Sequence, residues 1–495
     1  MSLTKYGSYL AQGCSGVLLW FAAMFAMAQH PVPSPAEPVT AHPASSANEQ
    51  EQDFSITLPE LIAGIRTHHP VLLSAQAKRE QAELAALRAQ GEFDLRIDHE
   101  SLFRTSGFYH GKYASQTITK PLEFAKAELS AGYRISDGDF PIYENYFNTQ
   151  TAGEANIGLK MSLLRNRDID KRRTGLKDAQ FLRAIGISEE QIQLNNLLYQ
   201  GISAYLDWFE AKQQTGVVDE LVALANMRRT GIESRVANGD LAALSLTEFE
   251  TTLLSRRIAL QEAEQAGRLA QQMLSFYWRD EQGQPQAFAH EKPLPKDIQW
   301  PFKPNDYAAQ TLVQMLQQHP ELQEINANLK LARNKLRLAE NDYLPELDLE
   351  VKVARDLGQG STSLTGTESF VGLKFSMPLE RRQATADKSV ASAKIRELNY
   401  KKQAMMEKMQ LNLQAQLQML ANLRQLQELR QAQADVAATL QRQENARFLA
   451  GDSDQFLLNA RETTAGRARL AAIKASVDVL RQELELMAMS GRLGG

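Results

Sequence analysis

Residues 344–353 read Leu-Pro-Glu-Leu-Asp-Leu-Glu-Val-Lys-Val. Side chains along a strand point alternately to opposite faces. The segment therefore sets Leu347, Leu349, Val351 and Val353 on one side and Glu346, Asp348, Glu350 and Lys352 on the other. Three more segments are written the same way. In one, Phe93, Leu95 and Ile97 alternate with Asp94, Arg96, Asp98 and Glu100. In another, Ala155, Ile157, Leu159, Met161 and Leu163 alternate with Asn156, Gly158, Lys160 and Ser162. In the last, Val371, Leu373, Phe375 and Met377 alternate with Gly372, Lys374 and Ser376. Each is about ten residues long, enough to cross a bilayer as a tilted strand. A soluble sheet covering a core would read alike, but nearly everything else in this chain is written as long helix.

The same pattern occurs twice along the chain. Thr67-His68-His69-Pro70 opens an Ala/Leu/Gln/Glu-rich helical stretch, and Gln317-Gln318-His319-Pro320 opens another. Two alternating segments follow each, ending at Ser162-Leu163-Leu164-Arg165 and at Met377-Pro378-Leu379-Glu380. Then come long helical stretches, broken at Ala237-Asn238-Gly239-Asp240 and at Leu449-Ala450-Gly451-Asp452. The spacing predicts a first repeat over 57–281, a Pro/Gly-rich linker over 282–304, a second repeat over 305–490 and a tail at 491–495. The first repeat carries an aromatic insertion over 104–153 between its strands.

The helical stretches from Arg165 to Ala237 and from Arg381 to Ala450 contain no proline. About 70 residues at 1.5 Å rise make a rod of roughly 100 Å. Leu417, Leu420, Leu423, Leu426 and Leu429 mark an apolar stripe of coiled-coil type.

The 495 residues carry 55 Lys+Arg against 59 Asp+Glu, a net charge of −4, which excludes a nucleic-acid binder held by bulk charge. The single cysteine excludes a disulfide framework and a multi-cysteine zinc site. Lys5, the apolar run Val17–Phe25 and the close at Ala26-Met27-Ala28 predict a secretory peptide over 1–28, cleaved after Ala28. Cys14 precedes the apolar run, so it is expected to leave with the peptide rather than carry lipid. Residues 29–56, rich in Pro, Ala, Ser and Glu, are expected to be a disordered lead-in.

Lipid cannot satisfy backbone polar groups, so strands cross it only in a closed barrel. Single-chain barrels begin at about eight strands, and two strand pairs cannot close alone. Several copies must share one barrel, and a homotrimer would bring twelve strands. The expected fold is α+β: long α-helices in a coiled-coil helical barrel, with a transmembrane β-barrel completed by trimerisation and two internal repeats.

This reading resembles the TolC-like outer membrane efflux protein family. The residues that carry the resemblance are His69-Pro70 and His319-Pro320, Leu344-Pro345 opening a strand, Phe375-Ser376-Met377-Pro378-Leu379 at a strand-to-helix junction, and the breaks at Gly239 and Gly451. The resemblance implies a trimeric outer membrane channel that extends into the periplasm, a passive export duct of a tripartite efflux or type I secretion system. It also implies a periplasmic adaptor and an inner membrane transporter of RND or ABC type as partners, engaged at the periplasmic tip. No cofactor, catalytic residue or metal follows from it.

Gly239, Asp240, Gly451, Asp452 and Asp454 are thus expected at that tip. Glycine permits the left-handed turn and Asp can cap the next helix; alternatively, threefold symmetry gathers the carboxylates into a cation-selective ring. The aspartates that family members often carry beyond the second glycine are replaced here by Phe456, Leu457, Leu458, Asn459 and Ala460. Asp94, Arg96, Asp98, Glu100, Asp348, Glu350 and Lys352 are expected to line the barrel lumen. The insertion, with Phe108, Tyr109, Tyr113, Phe124, Tyr133, Phe140, Tyr143, Tyr146 and Phe147, is expected at the extracellular rim as a hairpin. Alternation of Ala127, Leu129, Ala131, Tyr133 and Ile135 allows one further strand there. His68-His69 lacks a nearby third ligand, so no metal site is expected. The rival from another class is a periplasmic coiled-coil adaptor or scaffold.

Overall fold

The computed structural model describes residues 57–123, 126–286, 298–303, 308–491 and 493. The predicted secretory peptide with Ala28, the lead-in, Phe124 and part of the 282–304 linker lie outside the described residues. Among those described, no helix is long and apolar enough to cross a membrane.

Two rods dominate. α1 (Leu58–His68) and α2 (Pro70–Gly91) lead into the sheet, which is followed by α3 (Lys171–Ala237) and α4 (Ala243–Ser275). The second half repeats this with α5 (Ala309–Gln317), α6 (Pro320–Asn341), α7 (Arg382–Ala450) and α8 (Gln455–Met489). α3 and α7 run unbroken for 67 and 69 residues. Each is flanked by a shorter helix near its start and another near its end. Arg79 of α2 pairs with Glu190 early in α3, and Arg256 of α4 reaches the Leu221 carbonyl far along it. Lys402 of α7 bonds Asn326 of α6, and Arg424 further along bonds Glu483 of α8.

The histidine-proline pairs are helix starts. His69 is the N-cap of α2, its Nδ1 accepting from the Val71 amide at 3.3 Å, with Pro70 at the first helical position. His319 does the same for α6 through the Glu321 amide. Proline suits that position because its missing N–H would have no helical partner. Burial lowers both imidazole pKa values, aided at His69 by the Arg279 charge, and so favours the neutral ring that can accept.

The largest apolar cluster forms where α1, α5 and the ends of α4 and α8 meet the middles of α3 and α7. Tyr205, Trp208, Leu198 and Ile202 of α3 are fully buried there with Leu58, Leu61 and Ile65 of α1. Ile298, Trp300 and Phe302 of the linker pack against it. The α1–α3 approach is close enough that a Cβ on Gly201 would meet the Ile65 side chain. The expected leucine stripe splits. Leu420 is buried and Leu417 and Leu423 join the cluster, whereas Leu426 and Leu429 are exposed. A spacing of three residues falls short of a 3.6-residue turn, so the stripe winds off its face.

The sheet has six antiparallel strands in sequence order: β1 (Arg96–Phe103), β2 (Gly111–Leu122), β3 (Ala127–Gly138), β4 (Glu154–Ser162), β5 (Glu346–Asp356) and β6 (Thr367–Ser376). This corrects the expectation of two strands in the first half. The insertion is not a hairpin confined to the rim, because β2 and β3 are each 12 residues long and pair fully within the sheet. Their turn returns to the helical end, where Lys126 pairs with Asp168 at 2.8 Å and Glu128 with Arg172 at 3.2 Å.

Candidate functional site

Register alone sorts the sheet into two surfaces, since residues directly opposite one another share a face. One face joins Arg96, Asp98 and Glu100 of β1 to Thr119, Thr117 and Ser115 of β2. It continues through Ser130 and Arg134 of β3, Glu154 and Lys160 of β4, Glu350 and Lys352 of β5, and ends on Lys374 of β6. The other face of β3–β6 carries Leu129, Ile135, Ile157, Leu159, Val351, Val353, Val371 and Leu373. Seven of these eight are exposed by more than a third, including Val371 at 74% and Leu373 at 66%. Among the described residues no layer covers that apolar face, and β1 and β6 are edges exposed along their whole length.

Six of the seven residues predicted to line a lumen therefore share one face: Arg96, Asp98, Glu100, Asp348, Glu350 and Lys352. Asp94 does not join them. It lies in the turn after α2, before β1 begins, where its amide bonds the Gly91 carbonyl. The charges are cross-linked in pairs. Lys160 meets Asp348 at 3.3 Å, Lys352 meets Glu154 at 3.5 Å, and Arg134 also pairs with Glu154. At the helical end, Arg165 bridges Asp342 and Glu346, beside a cavity of about 460 Å³ lined by charged residues from both strands and helices.

The two helical breaks differ in detail. Gly239 (φ +81°) and Gly451 (φ +84°) both take the left-handed conformation that closes a helix end, and neither would meet a neighbour if given a Cβ. Asp454 is the N-cap of α8, accepting from the Leu457 amide at 2.7 Å. Asp240 has no such role, because the N-cap of α4 is Ala242. Asp452 is exposed, and its backbone carbonyl accepts from Arg447 at 3.1 Å.

Behind the tips lies a cluster that sequence reading missed. Glu462 of α8 is 1% exposed and accepts from Arg228 of α3 and Arg256 of α4. Burial alone would raise its carboxyl pKa; the two guanidinium groups outweigh that and hold it below the usual range. Its partners lie over 200 residues away in sequence, so no local signal marks them. Among the described residues, no group of three or more His, Cys, Asp or Glu is placed to hold a metal.

Several solved structures of outer membrane channels share this fold of paired long rods joined to an antiparallel sheet. The outer membrane protein VceC of Vibrio cholerae matches with a TM-score of 0.63 at 14% identity, over 88% of this chain and 96% of VceC. The CmeC channel of Campylobacter jejuni matches at 0.59 and 12% identity, over 92% of this chain and 94% of its own. The open-state MtrE channel of Neisseria gonorrhoeae matches at 0.60 and 12%, over 92% and 97%. At the level of sequence, residues 311–492, which run from α5 to just past α8, match the model of the outer membrane efflux protein family. No curated protein sequence matches the chain.

Proposed function

We propose that this chain is one protomer of a trimeric outer membrane efflux duct, whose sheet crosses the membrane and whose rods extend into the periplasm. One observation carries the reading. Across six strands, one face is charged and internally paired while the other, over β3–β6, is apolar and bare. A sheet of this kind with two free edges is stable neither in water nor in lipid until its edges are paired and its apolar face meets hydrocarbon. Copies closing edge to edge satisfy both demands and turn the charged face inward. With six strands each, three copies make a ring of eighteen rather than the twelve expected from two strands per half.

The duct holds no energy source, so the drive comes from an inner membrane transporter, of RND or ABC type, joined through a periplasmic adaptor. We assign the adaptor contact to the tips around Gly239, Asp240, Gly451 and Asp452. Asp454 serves the fold as a helix cap, which leaves Asp240 and Asp452 as the carboxylates free to form a ring at the pore. The bare apolar face speaks against a soluble adaptor or scaffold, which would have to cover it.

Fractionation tests the reading. The protein should require detergent to leave the outer membrane and should run as a heat-sensitive trimer in gel electrophoresis. Release by osmotic shock as a water-soluble monomer would overturn it.

A further inference from the structure

The aromatic residues of the β3–β4 connection do not spread over the apolar face. Phe140 lies over Gly111, so that a Cβ there would come within 2.9 Å of its ring. The Phe147 ring packs at 4.7 Å on Tyr113, whose side chain belongs to the charged face because it stands opposite Leu102 and Ser136 in register with Glu100 and Ser115. The Thr149 hydroxyl sits 3.3 Å from that of Ser136, and the Gln150 amide donates to Asp356, both again on the charged face. Residues 139–150 are thus folded across the polar side of the sheet, at the end away from the helices.

The fold-over is fastened. Arg104, just past β1, reaches Glu144 at 3.3 Å and lies 4.1 Å over the ring of Tyr109. One guanidinium thereby ties the β1–β2 turn to the β3–β4 connection. Tyr113 and Tyr109 are 7% and 8% exposed beneath the connection, while Ile142, Tyr143 and Tyr146 remain open on it.

We infer that residues 139–150 form an aromatic collar that narrows the outer mouth of the duct, with Arg104 as its latch. The inference rests on the proposed function, since only in a closed ring does the polar face become a lumen. Three such collars, one per protomer, converge on the axis and set the largest cargo that leaves without collar movement. The collar is a constriction separate from the helical tips and lies at the opposite end of the molecule.

Size-graded labelling of a cysteine below the collar tests this. Thr117→Cys places the thiol on the charged face of β2, and the chain's own cysteine, Cys14, lies in the predicted secretory peptide. Intact cells are treated with a small charged maleimide or with a polyethylene glycol maleimide. The small reagent should label Thr117→Cys whatever the collar does. The large one should react slowly, and an order of magnitude faster once Arg104→Ala or Gly111→Ala releases the collar, or once residues 139–149 are replaced by a short Gly-Ser link. Equal rates for the large reagent in all backgrounds would overturn the collar and leave the duct standing. Failure of the small reagent at Thr117→Cys, with ready labelling of Leu159→Cys on the apolar face, would overturn the duct and the collar with it.

Discussion

Arg228 grips Glu462 from the next hairpin with both terminal nitrogens, in a site where the two side chains are 11% and 2% exposed. Arg256 adds a third bond at 2.9 Å, so α3, α4 and α8 meet on a single carboxylate. Removing the acid strands two buried guanidinium groups, and breaking a buried pair in this way costs about 3–5 kcal/mol. Glu462→Gln should therefore lower the thermal transition of the purified oligomer more than Arg256→Met does. Equal transitions in wild type and Glu462→Gln would show that the cluster does not hold the hairpins together.

A pH dependence follows from the paired histidine caps. The pKa values of His69 and His319 are lowered in the folded protein, so the unfolded chain takes up protons first as pH falls. The stability these caps contribute is fully present above the unfolded imidazole value of about 6.5 and declines as pH drops below it, levelling off beneath the folded values. Thermal melts from pH 8 to pH 5 should show this loss, and His69→Asn with His319→Asn, which keeps a capping acceptor, should flatten it. An undiminished slope in the double variant would assign the dependence elsewhere.

The tip aspartates separate by chemistry. Asp454→Ala deletes an N-cap and should cost about 1 kcal/mol, with little change in conductance. Asp240→Ala with Asp452→Ala removes carboxylates that cap nothing, so stability should hold while single-channel conductance in a planar bilayer rises and divalent-cation block weakens. Unchanged conductance and block would remove both residues from the gate.

Gly239 and Gly451 carry the left-handed turns, so alanine at either should destabilise its hairpin by about 1 kcal/mol. Asparagine tolerates that region better and should recover part of the loss. Limited proteolysis at the tips would report it, and Ala and Asn variants cleaved as slowly as wild type would contradict the role of φ.

Edge pairing is testable directly. Cysteines on β1 and β6, such as Asp98→Cys with each of Val371→Cys, Gly372→Cys and Leu373→Cys in turn, should yield covalent oligomers on oxidation, because those strands are the free edges. The same scan from Thr117→Cys on β2 should not, since β2 is paired on both sides. Cross-linking from β2 instead would mean that the β1–β2 hairpin stands outside the ring.

The strands most legible in sequence are those with one greasy side. β4, β5 and β6 alternate apolar and polar residues, and β3 shows the same through Leu129, Ala131, Tyr133 and Ile135. β2 gives no such signal. Its two faces carry Tyr113, Ser115, Thr117 and Thr119 against Lys112, Ala114, Gln116 and Ile118, so hydrophobicity does not alternate. Only pairing with β1 and β3 defines it as a strand, and with it the count of six. The core of Tyr205 and Trp208 was hidden likewise, because an aromatic residue in a long polar helix reads the same whether or not another segment packs on it.

Local chemistry determined what local chemistry can: the His-Pro starts, the glycine breaks, the length of the rods and the two-sided strands, each set by residues within a few positions of one another. Tertiary structure decided which charges share a face, that Glu462 gathers arginines from two other helices, and that the aromatic connection folds onto the polar side. Those outcomes depend on strand register and helix packing between segments far apart in the chain, and no periodicity within one segment encodes its register against another.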